Sequence, residues 1–571
     1  MIHYKTWQMP YTVNPDFRTR VAYFCMEFGV HQALKIYSGG LGYLAGSHMR
    51  SAYDLKQNLI GVGILWRNGY YDQVRDDNGF MAVQFQKKIY TFLQQTDINF
   101  TIQIGGKEVL IKTYYLAPEV FGTAPMFLLS TDFPENIEDI RKYTYSLYDN
   151  DHETRIAQNI ILGIGGAKVI EMLGDASIYH MNEGHALAMA FYHFSKTKDI
   201  DSVRNKVVFT THTPEKAGNE EHDINLLNRM GFFSEVPLEL IRHITNTEGD
   251  MLGYTPAALS MSKIANGVSQ LHGEVSREMW KDHKGICPIL SITNAQNKKF
   301  WADKQLNQAY IHRDDSSLTI LKKELKKELF EIVANQTGKI FKPDVLTIVW
   351  SRRFAEYKRA NLLMRNKERF LKFISNEHYP VQIIWAGKPY PFDHGAVSTF
   401  NDIISFSQDR SNLAVLVGYE IELSYMLKRG ADVWLNTPRR PREASGTSGM
   451  TAAMNGAVNV SVSDGWIPEF AKHGENAFII PPADDKKMDT IEIDNFDYEN
   501  LMELLENEVV QMYYKQPERW LEVVKSSMHD IYPFFDSDRM ADEYYKKMYN
   551  YKFHPVDRLL SNVLDNNDQT S

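Results

Sequence analysis

The sequence predicts an α/β protein, and three observations carry that prediction. Short apolar, β-branched runs recur along the chain, as in "KVVFTTHTP" (206–214), "VLTIVWSRR" (345–353), "VQIIWAGK" (381–388) and "NLAVLVGY" (412–419). Each ends in a polar or Gly-containing turn, the pattern of strands buried on both faces of a parallel sheet. Helical apolar spacing fills the intervals between them, so strand and helix alternate.

At 571 residues the chain exceeds what one hydrophobic core accommodates, and two large domains or three modest ones are expected. Residues 1–300 read as the first and residues 344–560 as the second. Between them, 301–343 reads as a connecting segment containing the lysine-rich "LKKELKKELFEIVANQTGKIF" and ending at Pro343; a single long surface helix is the other reading of the same stretch. The polar end "DNNDQTS" lacks apolar periodicity, and 561–571 is expected to be a disordered tail.

A formal net charge of -9 gives no long-range attraction to nucleic acid or to an anionic membrane, although local basic patches could still hold phosphate. Two cysteines, Cys25 and Cys287, provide no disulfide framework and are expected to be core thiols, with a single bridge as the alternative. The first twenty residues contain no apolar leader, and no stretch approaches the roughly eighteen apolar residues of a membrane span. A cytoplasmic protein is expected.

Ligands of doubly wound sheets bind outside the carboxyl ends of the strands, so chemistry is sought just after each apolar run. After 345–350 come Arg352, Arg353, Lys358 and Arg359, whose forks and point charges suit phosphate oxygens or, equally, form a solvated basic helix face. His212 and Thr213 follow another run, and "SIYHMNEGHA" adds His180, Asn182, Glu183 and His185. The latter lacks the spacing of a zinc protease, and no metal is expected. "YSGGLGYLAG" places Gly39, Gly40 and Gly42 before a helix. "PREASGTSGMTAAMNGAVNVSVSDGW" (441–466) opens another, where Gly446 to Met450 offers glycines and free N–H groups to an anion.

Together these segments resemble the α-glucan (glycogen/starch/maltodextrin) phosphorylase family, in its short bacterial branch. The matching pieces are "AYFCMEFGVHQALKIYSGGLGYLAG", "GVGILWRNGYYDQ", "HMNEGHA", "VVFTTHTPEKAG", "SRRFAEYKRA", "WAGK", "ADVWLNTPRRPREASGTSGM" and "NGAVNVSVSDGW", in family order from about residue 20 to 480. The resemblance implies two Rossmann-like domains facing a cleft (the GT-B glycosyltransferase architecture) and retaining transfer of an α-glucosyl unit. It implies pyridoxal 5'-phosphate working through its phosphate group. Arg353 and Lys358 match grips on substrate phosphate, with Gly40 and Gly446 as backbone approaches to it. Arg352, Thr447, Ser448 and Gly449 match groups around phosphate. Tyr419 matches an aromatic beside the cofactor, and His212, Asn294, Glu443 and Ser445 match groups around the sugar. Homodimers are common in the family.

One position departs from the pattern. Thr451 stands where the family's cofactor lysine follows the glycine turn, and a threonine has no amine for a Schiff base. The chain is therefore expected to phosphorolyse α-1,4-glucan with the cofactor held without a covalent bond. The alternatives are a transferase independent of that cofactor, moving glucose from a nucleotide-sugar to an α-glucan, and a catalytically silent glucan-binding relative. Ser47, where the branch commonly carries an acid, is a second departure.

Overall fold

The computed structural model describes residues 2–484 and 486–553, so the expected tail at 561–571 lies outside the described residues. The chain divides into two compact units that do not follow chain order. Among the described residues the first comprises 2–70, 85–293 and 538–553; the second comprises 71–84 and 294–537.

The first unit is built on a nine-stranded sheet. Its parallel strands run, in spatial order, Ile289–Ser291, Ile264–Gly267, Val207–Thr210, Ile178–Asn182, Val21–Phe24, Leu59–Ile64 and Met126–Ser130. Lys107–Leu116 and Gln94–Ile104 extend it antiparallel. Most of these parallel strands are buried throughout, which is why their sequence reads as unbroken apolar runs rather than as alternation. Strand order reverses between Val21–Phe24 and Ile178–Asn182, the first two strands of the two windings. Residues after those strands therefore border the crevice where such sheets bind ligands.

The second unit carries a six-stranded, fully parallel sheet in the order Leu413–Leu416, Val381–Ala386, Leu346–Ser351, Val433–Asn436, Val458–Val462, Ala477–Ile480. Counted along the chain this is order 3-2-1-4-5-6, the Rossmann winding, with its switch point between Leu346–Ser351 and Val433–Asn436. The fold class is thus α/β with two Rossmann-like units, as expected.

The 301–343 stretch is not a linker. Helices Lys304–Ile311 and Asp315–Thr337 belong to the second unit, and the longer one packs on helix Ile421–Gly430. Two of its lysines are interior groups. Lys326 pairs with buried Asp432 at 2.5 Å, and Lys322 donates to the carbonyls of Arg429 and Asn455. A lysine-rich sequence predicts a solvated face; here the ammonium groups cap strand and helix ends instead.

The chain beyond Ser537 likewise joins the first unit rather than the second. Tyr544, Tyr545, Met548 and Tyr549 are buried there, the Tyr545 hydroxyl donates to the Thr19 carbonyl, and Lys263 donates to the carbonyls of Tyr549 and Tyr551. Cys25 and Cys287 are both free and buried. Among the described residues no helix is long and apolar enough to cross a membrane.

Candidate functional site

In the second unit the predicted residues gather at the switch point. Strand Leu346–Ser351 ends on buried Arg352, whose guanidinium donates to Asn436 Oδ1 (2.5 Å) at the end of the neighbouring strand and to Glu443 Oε2 (3.0 Å). Lys358 reaches the same carboxylate, with Nζ at 3.1 and 3.2 Å from its two oxygens. Burial opposes ionisation of Glu443, but Lys358, then Arg352 and more weakly Arg353, outweigh it and hold the carboxyl below its usual range. Arg353 is itself exposed at this strand exit. Arg359, grouped with these cations by sequence, instead clamps buried Asp494 and Asp497 and two backbone carbonyls, those of Thr437 and Pro438.

The glycine turn is tied to this cluster by side-chain amides that sequence reading passed over. Asn436 donates to Asn459 Oδ1 (3.0 Å), and Asn459 donates to the Gly449 carbonyl (3.0 Å). The only advance signal for Asn436 was its place at a strand end. Helix Thr447–Ala453 starts at Gly446, whose φ of +92° explains the glycine. Gly449 is a packing glycine, since a Cβ there would lie 2.5 Å from Asn459 Oδ1 and 3.0 Å from the Trp466 ring. Thr447 and Ser448 open the helix half-exposed, and Ser448 Oγ accepts from Trp434 Nε1. Asp464 braces Glu443 from behind by accepting its N–H at 2.9 Å; burial, with the Glu443 charge added, pushes its carboxyl up to about 7.

Three further predicted residues sit in this unit. Tyr419 is buried, with its hydroxyl 3.1 Å from Ser424 Oγ, and the Arg352 charge acts on it. Asn294 is buried with Oδ1 lacking a partner, and Ser445 Oγ and Arg352 Nε are in the same condition. Buried polar atoms left unpaired cost free energy, and a polar ligand would satisfy them.

The first unit has its own cluster at its own switch point. Glu27 follows strand Val21–Phe24 and gathers the Ser38 N–H (2.6 Å), the Gly39 N–H (3.2 Å), the Ser38 hydroxyl and the Tyr148 hydroxyl (2.8 Å), which fixes the turn into helix Gly40–Asp54. A Cβ on Gly40 would meet nothing within 4 Å. The space beside this glycine is open, unlike that beside Gly449.

His212, after strand Val207–Thr210, places Nε2 2.8 Å from Asn182 Oδ1, while burial drives its pKa down to about 3. The ring is neutral: Nε2 donates to Asn182, leaving Nδ1 able to accept. Glu183, outside the set singled out by resemblance, receives the His212 N–H and the Thr213 hydroxyl. Its backbone lies at φ 68°, ψ 169°, a region that non-glycine residues rarely enter and that costs about 1–3 kcal/mol. Burial raises its carboxyl to about 7. His180 is occupied structurally by the Tyr549 and Thr210 hydroxyls. Among the described residues no group of three or more His, Cys, Asp or Glu is arranged to hold a metal ion.

Fold and site define a doubly wound α/β protein whose second unit carries a cationic, glycine-lined crevice. The carbohydrate phosphorylase family model matches residues 291–494, the segment that holds this crevice. An uncharacterised protein of Methanocaldococcus jannaschii is 46% identical over 92% of this chain and 99% of its own length. The maltodextrin phosphorylase of Thermococcus litoralis is 35% identical over 94% of this chain and 71% of its own length. The glycogen phosphorylase of Aquifex aeolicus is 30% identical, over 96% and 88% respectively. The chain belongs to the carbohydrate phosphorylase family.

That family generally uses pyridoxal 5'-phosphate. The residues here fit its phosphate end: Arg352 with an unpartnered Nε and the glycine turn are the donors such a group needs. They do not fit a tether at position 451. Thr451 is buried, and its hydroxyl donates to the Ser448 carbonyl at 3.0 Å within its own helix.

Proposed function

We propose that the protein is a retaining α-glucosyltransferase that phosphorolyses α-1,4-glucan to glucose 1-phosphate. The observation that carries this reading is the switch-point cluster in the second unit, where Arg352 and Lys358 converge on one buried carboxylate beside a glycine turn. Two cations neutralised by a single side-chain carboxylate are suited to exchanging Glu443 for phosphate oxygens. In the same reading Glu443 then becomes available to sugar hydroxyls, so that one side chain couples anion arrival to glucosyl recognition.

The division of roles follows from the donor set. Arg353, Lys358 and the Gly446 amide hold the substrate phosphate as negative charge builds on it, and Arg352, Thr447, Ser448 and the Gly449 amide hold a second phosphate group. Gly40 supplies open backbone approach. His212, Asn294 and Ser445 read sugar hydroxyls, and a hydroxyl missing from a wrong substrate would leave buried partners unpaired. Tyr419 flanks the cofactor. Pyridoxal 5'-phosphate, when bound, supplies a phosphate that exchanges a proton with inorganic phosphate. No nucleophile from the protein is required. The partners are therefore α-glucan and inorganic phosphate, with homodimerisation following the family habit.

A second reading rests on Thr451. Without an amine there, the second phosphate place would suit the distal phosphate of a nucleotide-sugar, and the reaction would be glucosyl transfer from that donor. Purified protein given glycogen and glucose 1-phosphate, in parallel with glycogen and ADP- or UDP-glucose, separates the two. Release of inorganic phosphate supports phosphorolysis; release of nucleoside diphosphate alone supports the second reading, and turnover of neither with retained glycogen binding leaves a silent glucan-binding protein.

A further inference from the structure

Position 451 lacks an amine, yet the helix packed against it carries one in the interior. Lys428 lies on helix Ile421–Gly430, buried at 1% exposure, with Nζ 3.8 Å from the centre of the Trp301 ring. A buried ammonium is costly, and burial pushes the Lys428 amine well below its ordinary range. The group is thus inclined to be a neutral nucleophile.

Two chains of contact place it beside the crevice. Ser424 and Lys428 are four residues apart on the same helix face, with Cβ atoms about 5–6 Å apart. Ser424 meets the Tyr419 hydroxyl, and the Arg352 charge acts on that tyrosine. In the other direction, Asn455 Nδ2 donates to the Trp301 carbonyl (2.8 Å) and to the Thr451 carbonyl (2.8 Å), which pins the platform under Lys428 to the helix of Thr451. The helix Ile421–Gly430 therefore carries, four residues apart, a serine that meets Tyr419 and a buried amine seated on Trp301, the ring that Asn455 ties to the helix of Thr451.

We propose that Lys428 is the carbonyl-capturing amine of this crevice, taking an aldehyde-bearing phosphate ester of the pyridoxal 5'-phosphate type. The inference rests on the functional reading above only in assigning a phosphate to Arg352. In the step, the Nζ lone pair attacks the aldehyde carbon, two N–H protons and the aldehyde oxygen leave as one water, and a carbon–nitrogen double bond remains. No oxidant or reductant is involved.

The test is incubation of the full chain with pyridoxal 5'-phosphate, reduction with borohydride to fix any carbon–nitrogen double bond, and peptide mass mapping. The expected result is one adduct per chain on the peptide containing Lys428, lost in Lys428→Met. Because Met preserves the apolar stem, circular dichroism and thermal melting should be unchanged. Adding Thr451→Lys to Lys428→Met should restore a single adduct, now at position 451, which shows that the crevice still binds the ester. Adducts confined to surface lysines, or none while the ester binds, would overturn the proposal. So would failure of the ester to bind. Phosphate release from glucose 1-phosphate is scored separately: turnover without the adduct removes this inference alone, and the adduct without turnover removes the phosphorolysis reading alone.

Discussion

Glu443→Gln is the perturbation that most directly probes how the cation cluster is held. The Glu443 side chain is 10% exposed, and its partners Arg352 and Lys358 are 5% and 12% exposed, so all three charges are largely withdrawn from water. Removing one member of a buried pair typically costs about 3–5 kcal/mol because the remaining charge is uncompensated. Glutamine keeps the volume and one acceptor oxygen, which places the expected loss near the lower end, about 3 kcal/mol. An added anion should reverse it, since a ligand present at about 100 times its Kd stabilises by roughly 2.7 kcal/mol. Urea unfolding followed by tryptophan fluorescence, in phosphate-free buffer and again with inorganic phosphate, reads both effects. The variant should unfold at lower urea without phosphate and recover most of the difference with it, while the wild type responds less. Equal stability of variant and wild type without phosphate, or equal stabilisation of both by phosphate, would refute the view that Glu443 stands in for a bound anion.

Gly40→Ala should leave stability unchanged or slightly raised, because a Cβ there meets nothing and alanine favours the helix start, by about 0.4–1 kcal/mol; activity should nevertheless fall, and unchanged kcat/KM would remove the role proposed for Gly40. Lys358→Ala and Arg353→Ala should each cost about 2.7–4 kcal/mol in transition-state stabilisation, about two to three decades in rate, and less than a fivefold loss would remove them from the site. His48 and His212 are pushed to about 3 by burial, and His193 and His272 to about 4. The unfolded chain binds more protons at these groups below the ordinary value of 6.5, so stability is full above that pH and falls as pH drops toward 4. At about pH 5 each contributes a loss of about 2 kcal/mol, and urea midpoints that stay flat from pH 7 to pH 5 would contradict their burial as neutral rings.

The fold class was legible because strands buried on both faces leave apolar runs that no surface element mimics, as at 345–350 and 381–386. The boundaries were less so. Lys322 and Lys326 read as a solvated linker face because sequence records their charge but not the Asp432 carboxylate and the carbonyls that receive them. The return of the chain beyond Ser537 to the first unit depends on contacts with Thr19, His180 and Lys263, hundreds of residues away, although the buried tyrosines at 544, 545 and 549 were its trace. At the site, Arg352, Lys358 and Glu443 were each visible, but not that they are mutually paired. Asn436 and Asn459 escaped notice because an amide at a strand end acquires meaning only from its partners, and Glu183 was visible as a polar residue but not as a strained carboxylate.

The central claim is that the crevice of the second unit serves phosphate-coupled glucosyl transfer. The most direct measurement is inorganic phosphate released by purified protein from glucose 1-phosphate and glycogen, with and without added pyridoxal 5'-phosphate. Phosphate release that depends on glycogen and rises with the added ester is the expected result. Absence of phosphate release under both conditions, with nucleoside diphosphate released from ADP- or UDP-glucose instead, would contradict it.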